Sequence, residues 1–187
     1  AYHVLAQTQT GGLDFDGMDD HVILSNTAYA PLIGKSALTF EYWIKMDVLN
    51  SEDGIFSIQL SGDGDWFMDN RANGTDWFIG YTDNVAGNQA YFINNPLIGY
   101  AGKWVHIAMV YDNVTTNTIK ICRNGELFHQ RPISAGRTIS ISGGSSFYLG
   151  AYAGGVPYTA DMTMDEFRVW SVARTQAEIR NNMLEKT

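Results

Sequence analysis

Carboxylates and aromatic rings are the side chains in this sequence whose spacing offers chemistry. Asp16-Gly17-Met18-Asp19-Asp20 sets three carboxylates around a glycine turn. That is an oxygen-rich arrangement of the kind a hard cation such as Ca2+ requires, at a spacing unlike that of an EF-hand. A second acidic cluster comprises Asp161, Asp165 and Glu166. The competing use of these groups is turn hydrogen bonding for Asp16 and its neighbours, and an ion pair between Asp165 and Arg168.

Sugar rings present flat apolar faces fringed by hydroxyls, so a carbohydrate site combines aromatic platforms with amide and carboxylate groups. Residues 63–81 hold the densest mixture of that kind, with Trp66, Trp77 and Tyr81 as platforms and Asp69, Asn70 and Arg71 as polar partners. In extended backbone, Trp66 and Met68 share one face and Phe67 and Asp69 the other, while Trp77, Ile79 and Tyr81 lie opposite Phe78. Alternation does not say which face is core, and core packing is the competing use of every one of these aromatics. A second candidate is the glycine-rich stretch 142–158, where Tyr152 and Tyr158 are placed to stack on a ligand; its competing use is turn formation.

Catalytic signatures are missing from the sequence. It contains no Gly-x-Ser-x-Gly elbow, no HExxH helix and no phosphate loop. His106, between Val105 and Ile107, reads as a satisfied sheet histidine, and the single cysteine, Cys122, as an inert packed thiol that rules out an intrachain disulfide. The expectation is a binding module and not an enzyme.

The elements that must position these groups are strands. A period of two, broken roughly every eight to twelve residues by Gly, Asn and Asp clusters, marks strands at 13–16, 21–24, 37–46, 54–60, 66–70, 77–82, 89–94, 104–112, 118–123, 126–132, 147–151 and 163–170. Asn124-Gly125 is the strongest hairpin signal and predicts that its flanking strands pair. Thr175 followed by Glu178, with apolar groups at helical spacing after it, predicts one short C-terminal helix. A two-sheet antiparallel sandwich accounts for this order better than a barrel or an α/β fold.

Hydrophobic residues at 45% against 17% charged are enough for a core and too little charge for disorder. The length of 187 residues suits one domain, expected over 13–187, with 1–12 read as a linker or the trimmed start of a longer chain. A net charge of −8 with scattered lysines and arginines excludes the basic stripe that nucleic acid requires, and no apolar run is long enough for membrane insertion. The lone cysteine favours a bacterial over a eukaryotic secreted protein.

Five segments in order resemble the laminin-G-like jelly roll of the concanavalin A-like lectin/glucanase superfamily. They are Leu13-Asp-Phe-Asp-Gly-Met-Asp-Asp-His-Val22, Leu38-Thr-Phe-Glu-Tyr-Trp-Ile-Lys45, Trp104-Val-His-Ile-Ala-Met-Val-Tyr-Asp112, Ile119-Lys-Ile-Cys-Arg-Asn-Gly-Glu-Leu127, and Phe147-Tyr-Leu-Gly150 leading to Met164-Asp-Glu-Phe-Arg-Val-Trp170. The resemblance implies two curved antiparallel sheets and assigns Trp43, Trp104 and Trp170 to the framework. It also implies that Asp16 and Asp165 approach each other at one edge to hold a structural calcium, with Asp20 and Asp19 as further ligands. The paired carboxylates that the superfamily's glycosidases carry on one strand, as Glu-x-Asp-x-Glu or Glu-x-Asp-x-x-Glu, are not found. The function implied is a non-catalytic glycan- or polysaccharide-binding module, secreted or at the cell surface, attached to other domains of a bacterial parent chain. The alternatives are an adhesion, protein-interaction or spacer module, and a divergent hydrolase or lyase whose catalytic pair comes from separate strands.

Overall fold

A computed structural model describes residues 11–49, 53–59, 66–70, 74–152 and 158–185. Its strands are β1 (Leu13–Asp16), β2 (Val22–Leu24), β3 (Ala37–Lys45), β4 (Asp53–Gln59), β5 (Trp66–Asn70), β6 (Asp76–Asp83), β7 (Gly87–Asn94), β8 (Val105–Asp112), β9 (Thr118–Arg123), β10 (Glu126–Pro132), β11 (Ser146–Leu149) and β12 (Asp161–Trp170), followed by α1 (Gln176–Asn182). Sheet A runs β1-β12-β3-β8-β9-β10 and sheet B runs β2-β11-β4-β5-β6-β7, every pairing antiparallel. This is the expected jelly-roll sandwich with one short C-terminal helix.

The period of two in β3 explains how the sheets meet. Leu38, Phe40, Tyr42 and Ile44 point between the sheets and are almost wholly buried. There Phe40 packs on Phe56 with ring centroids 4.7 Å apart, and Phe167 stacks on Tyr42 at 5.6 Å. The opposite set, Thr39, Glu41 and Trp43, is buried too, because the C-terminal segment lies over the outer face of sheet A. Ile179 of α1 closes a second small core with Ala108, Val110 and Cys122. Thr175 caps α1 through the reciprocal box expected from Thr175 and Glu178.

The β9–β10 hairpin turns on Asn124 and Gly125, both at positive φ (50° and 75°), as a two-residue primed turn requires. Three irregularities were not expected. β4 shifts register between Gly54 and Phe56, β10 between Leu127 and His129, and β12 between Asp165 and Arg168, where Glu166 adopts φ 51°. At Gly54 a Cβ would lie 2.1 Å from the backbone nitrogen of Tyr152, so only glycine lets the β11–β12 connection cross here. Gly54 N donates to Tyr158 O, and Tyr152 N donates to the same carbonyl.

Candidate binding face

Trp66 and Trp77 are wholly buried and Tyr81 is nearly so, which removes all three from the expected ligand platform. Met68 and Ile79 on the same strand faces are also buried, so this is the side of β5 and β6 that meets sheet A. Trp66 lies edge-on to Tyr111 at 5.4 Å and 5.9 Å from Tyr81, and its Nε1 donates to Ser140 O at 3.4 Å. Trp77 Nε1 is buried with no hydrogen-bond partner. Asp69 and Asn70 belong to β5, whose pairing is described although their side chains are not; Arg71 lies outside the described residues.

The other side of sheet B carries an aromatic pair that the sequence reading passed over. Phe78 and Phe92 are cross-strand partners with ring centroids 4.8 Å apart, and Phe92 is 60% exposed. Pairing extends their row across the sheet: Phe92 to Phe78, Phe78 to Asp69, Asp69 to Gly54. Beyond Gly54 stand Tyr152 and Tyr158, edge to face at 6.0 Å, with Tyr158 about one-third exposed at 37%. Three strand spacings of about 4.8 Å make this row about 14 Å from β4 to β7. The two regions singled out in the sequence, 63–81 and 142–158, therefore meet on one row through the short β4 positions between them.

The flanks of the row suit a polar ligand with flat apolar faces. On one side Gly80 pairs with Ala90, and these small residues leave a shallow strip along the phenylalanines. Past them Thr82 and Asn88 are partners whose side chains hydrogen-bond to each other. On the other side Asp76 pairs with the exposed Asn94. Solvent-facing positions of a half-buried strand ordinarily carry polar groups, so two adjacent phenylalanines there are the informative departure.

Asp16, Asp19 and Asp20 present carboxylate oxygens within 4.8 Å of one another at an exposed turn. Asp16 accepts from Met18 N at 2.8 Å, and Asp20 accepts from Asp16 N at 3.3 Å. Asp165 does not join them. Register sets Asp16 opposite Asp161 and Leu13 opposite Met164, so Asp165 falls beyond the other end of β1. Its Oδ1 accepts from Glu166 N at 2.8 Å in the bulge. Arg168 pairs with Glu166 at 2.7 Å, not with Asp165 as the sequence suggested.

Asp165 and Glu166 also line a crevice of about 520 Å³ between the sheet edges, among Leu13, Val22, Leu24, Met164 and Phe167. With Glu166 held by Arg168, these two carboxylates are not a matched acid and base. A wholly buried carboxylate, Glu41, is gripped by Arg174 Nη1 at 2.7 and 2.8 Å under the C-terminal segment. His106 Nε2 lies 3.8 Å from Glu41, and burial, with help from Arg168 and Arg174, lowers its pKa to about 3. Such a histidine stays neutral and packed edge-on to Trp43. Burial pushes the Cys122 thiol up to about 11, in keeping with an inert packed side chain.

Comparison with known proteins follows the architecture. A model of the concanavalin A-like lectin/glucanases superfamily, laminin G type, matches residues 16–180. Among the curated proteins none matches this sequence. The NanB sialidase of Streptococcus pneumoniae superposes with a TM-score of 0.72 at 19% identity, over 91% of this chain and 27% of the sialidase. A heptameric SAP-like pentraxin from Limulus polyphemus gives 0.61 at 19% identity, over 90% of this chain and 79% of that one. The receptor-binding domain of botulinum neurotoxin mosaic serotype C/D gives 0.64 at 16% identity, over 90% of this chain and 40% of that domain. At these identities the likeness is one of fold. With a family model covering most of its length, the chain belongs to the concanavalin A-like lectin/glucanases superfamily.

Proposed function

We propose that this domain binds carbohydrate without transforming it, through the outer face of sheet B. The observation that carries the reading is the Phe78–Phe92 pair, with Phe92 exposed and Phe78 half-buried, set in a row with Gly54, Tyr152 and Tyr158 and fringed by Asn94, Thr82 and Asn88. Stacking on the rings and hydrogen bonds to the amides would supply the binding energy. Support for a recognition role comes from the neighbours: one botulinum neurotoxin binding domain is in complex with SialylT and another with rat synaptotagmin II. The reading goes with a secreted or surface-displayed parent chain, where structural and host-surface glycans are met.

We also propose a calcium site on the Asp16–Asp20 turn. Three carboxylate oxygens within 4.8 Å suit one cation with oxygen ligands at about 2.3–2.6 Å. Asp16, Asp19 and Asp20 would hold it, and it would stiffen the turn, with no part in contacting the glycan.

The test is a polysaccharide and glycan-array screen of the domain with calcium and with chelator, repeated with Phe92→Ala. Binding that Phe92→Ala abolishes supports the reading. A blank screen shifts the face to the alternative of a protein-interaction or spacer module, and turnover of any bound glycan reinstates the hydrolase or lyase reading.

A further inference from the structure

The last strand of a sheet offers backbone N–H and C=O groups along its open side, and natural sandwiches blunt such edges with short strands, charges, prolines or bulges. Among the described strands, three of the four sheet edges are blunted in these ways. β1 and β2 are only four and three residues long. β10 shifts register between Leu127 and His129, carries Glu126 and Arg131 and ends on Pro132. The fourth edge, β7, has none of these devices. It runs for eight residues, Gly-Asn-Gln-Ala-Tyr-Phe-Ile-Asn, in unbroken register with β6, and it holds no charge and no proline.

The composition of β7 fits a second β7. Antiparallel pairing with Tyr91 opposite Tyr91 of a second copy, on a two-fold axis, overlaps the strands from Asn88 to Asn94. On the outer face Phe92 then stands opposite Ala90 of the copy, and Asn94 opposite its Asn88. On the inner face Ile93 stands opposite Gln89 of the copy. Phe92, 60% exposed, gains the exposed methyl of Ala90 to lie on. Asn88 accepts through Oδ1 from Thr82 Oγ1, so its amide nitrogen is oriented to donate to Asn94 of the copy. Tyr91 and Ile93 are already buried, with Arg131 over the Tyr91 ring, so the inner side of the strand is formed before a copy arrives. Each molecule carries a net charge of −8, and a seam without charged residues sets no like charges directly against each other.

We propose that β7 is a self-pairing edge through which two copies of this domain join their B sheets into one antiparallel sheet of twelve strands. The occupant is a second copy because one strand supplies both halves of every contact in the seam. Phe92 of the copy lies diagonally across from Phe92, about 7–8 Å away. The aromatic rows of the two molecules therefore meet, stepped by two residues, and together reach about 34 Å from one β4 to the other. On the proposed glycan reading, on which this consequence alone rests, each copy completes the site of the other and the pair takes a long, extended chain.

The experiment is sedimentation velocity on the full chain, with no glycan present, over a concentration series reaching about 1 mM. A reversible dimer with a dissociation constant of about 1 mM or tighter is expected. Asn88→Lys with Asn94→Lys sets lysine opposite lysine at both ends of the seam and is expected to weaken the dimer about tenfold or more. Asn88→Asp with Asn94→Lys sets opposite charges at the same places and is expected to bring it back to within about threefold of native. Asn88 and Asn94 are both exposed, and circular dichroism of each variant checks the fold. A native chain that stays monomeric throughout overturns the proposal and leaves the edge to an extended peptide of another protein. A dimer that the double lysine variant leaves unchanged uses another surface and overturns it too, and a dimer lost equally in both variants overturns the Tyr91-centred register. Because no sugar is present, a blank glycan screen beside an intact dimer removes only the joint site and not the pairing.

Discussion

Phe92 and Trp77 sit on neighbouring strands and do opposite jobs, and their substitution should show it. Phe92 is mostly exposed, so Phe92→Ala is expected to leave thermal stability within about 1 kcal/mol while weakening glycan binding. Trp77 is wholly buried between the sheets, so Trp77→Ala is expected to destabilise the fold by about 3–5 kcal/mol whether or not ligand is present. Denaturant melts beside binding curves check both; a Phe92→Ala protein as destabilised as Trp77→Ala would mean that the pair is structural. His106 supplies a pH prediction. Its folded pKa, lowered to about 3 by burial from 6.5, means that the unfolded chain binds the proton more readily. Stability from this group is complete above pH 6.5 and is lost as pH falls toward 3, on the order of a few kcal/mol in all. Glu41 acts with the opposite sign, since burial holds its carboxyl above the ordinary value. Comparing melting temperatures of native protein and His106→Gln from pH 7 to pH 4 isolates the histidine, and a parallel decline in both would refute its role.

At the scale of elements, the C-terminal segment makes sheet A a three-layered structure. Arg174 grips Glu41, lies 4.4 Å over the Trp170 ring and donates to Glu178 O, while Trp43 Nε1 reaches Met183 O at 2.8 Å. Removing Arg174 leaves a carboxylate buried alone, and Arg174→Ala is expected to lose about 3–5 kcal/mol. Replacing both partners, Glu41→Leu with Arg174→Met, is expected to recover much of that loss, read as a coupling energy from a double-mutant cycle in urea. The Asp16–Asp20 turn is the second element with a direct test. Calcium in hundredfold excess over its dissociation constant would stabilise the domain by about 2.7 kcal/mol. That gain should vanish in Asp19→Asn/Asp20→Asn and survive in Asp165→Asn; a thermal shift indifferent to calcium removes the site.

At the scale of the whole molecule, the sandwich is sided. The outer face of sheet A is covered by α1 and the Glu41–Arg174 ion pair, whereas sheet B presents an aromatic row flanked by amides and hydroxyls. This sidedness leaves a widely used fold with one covered face and one open face, and the open one is where the proposed recognition would take place.

Much of the architecture was legible in the order of residues, because a period of two, turn glycines and a capping box are local signals that tertiary contacts reinforced. The strands, the Asn124-Gly125 hairpin, α1 and the packed state of His106 and Cys122 all belong to this class. The site was legible only in part. Alternation separated Trp66 and Trp77 from Phe67 and Phe78, yet both sets are apolar, and only the partner sheet decides which of two aromatic faces is buried. Likewise, Asp16 and Asp165 are each plausible ligands in isolation, but the register of β1 against β12 brings Asp161 opposite Asp16 and carries Asp165 away into a bulge. Local sequence determined which residues form strands and where they turn; which side of each strand faces water, and which distant residues share a row, was decided by sheet pairing, a long-range property with no local signature.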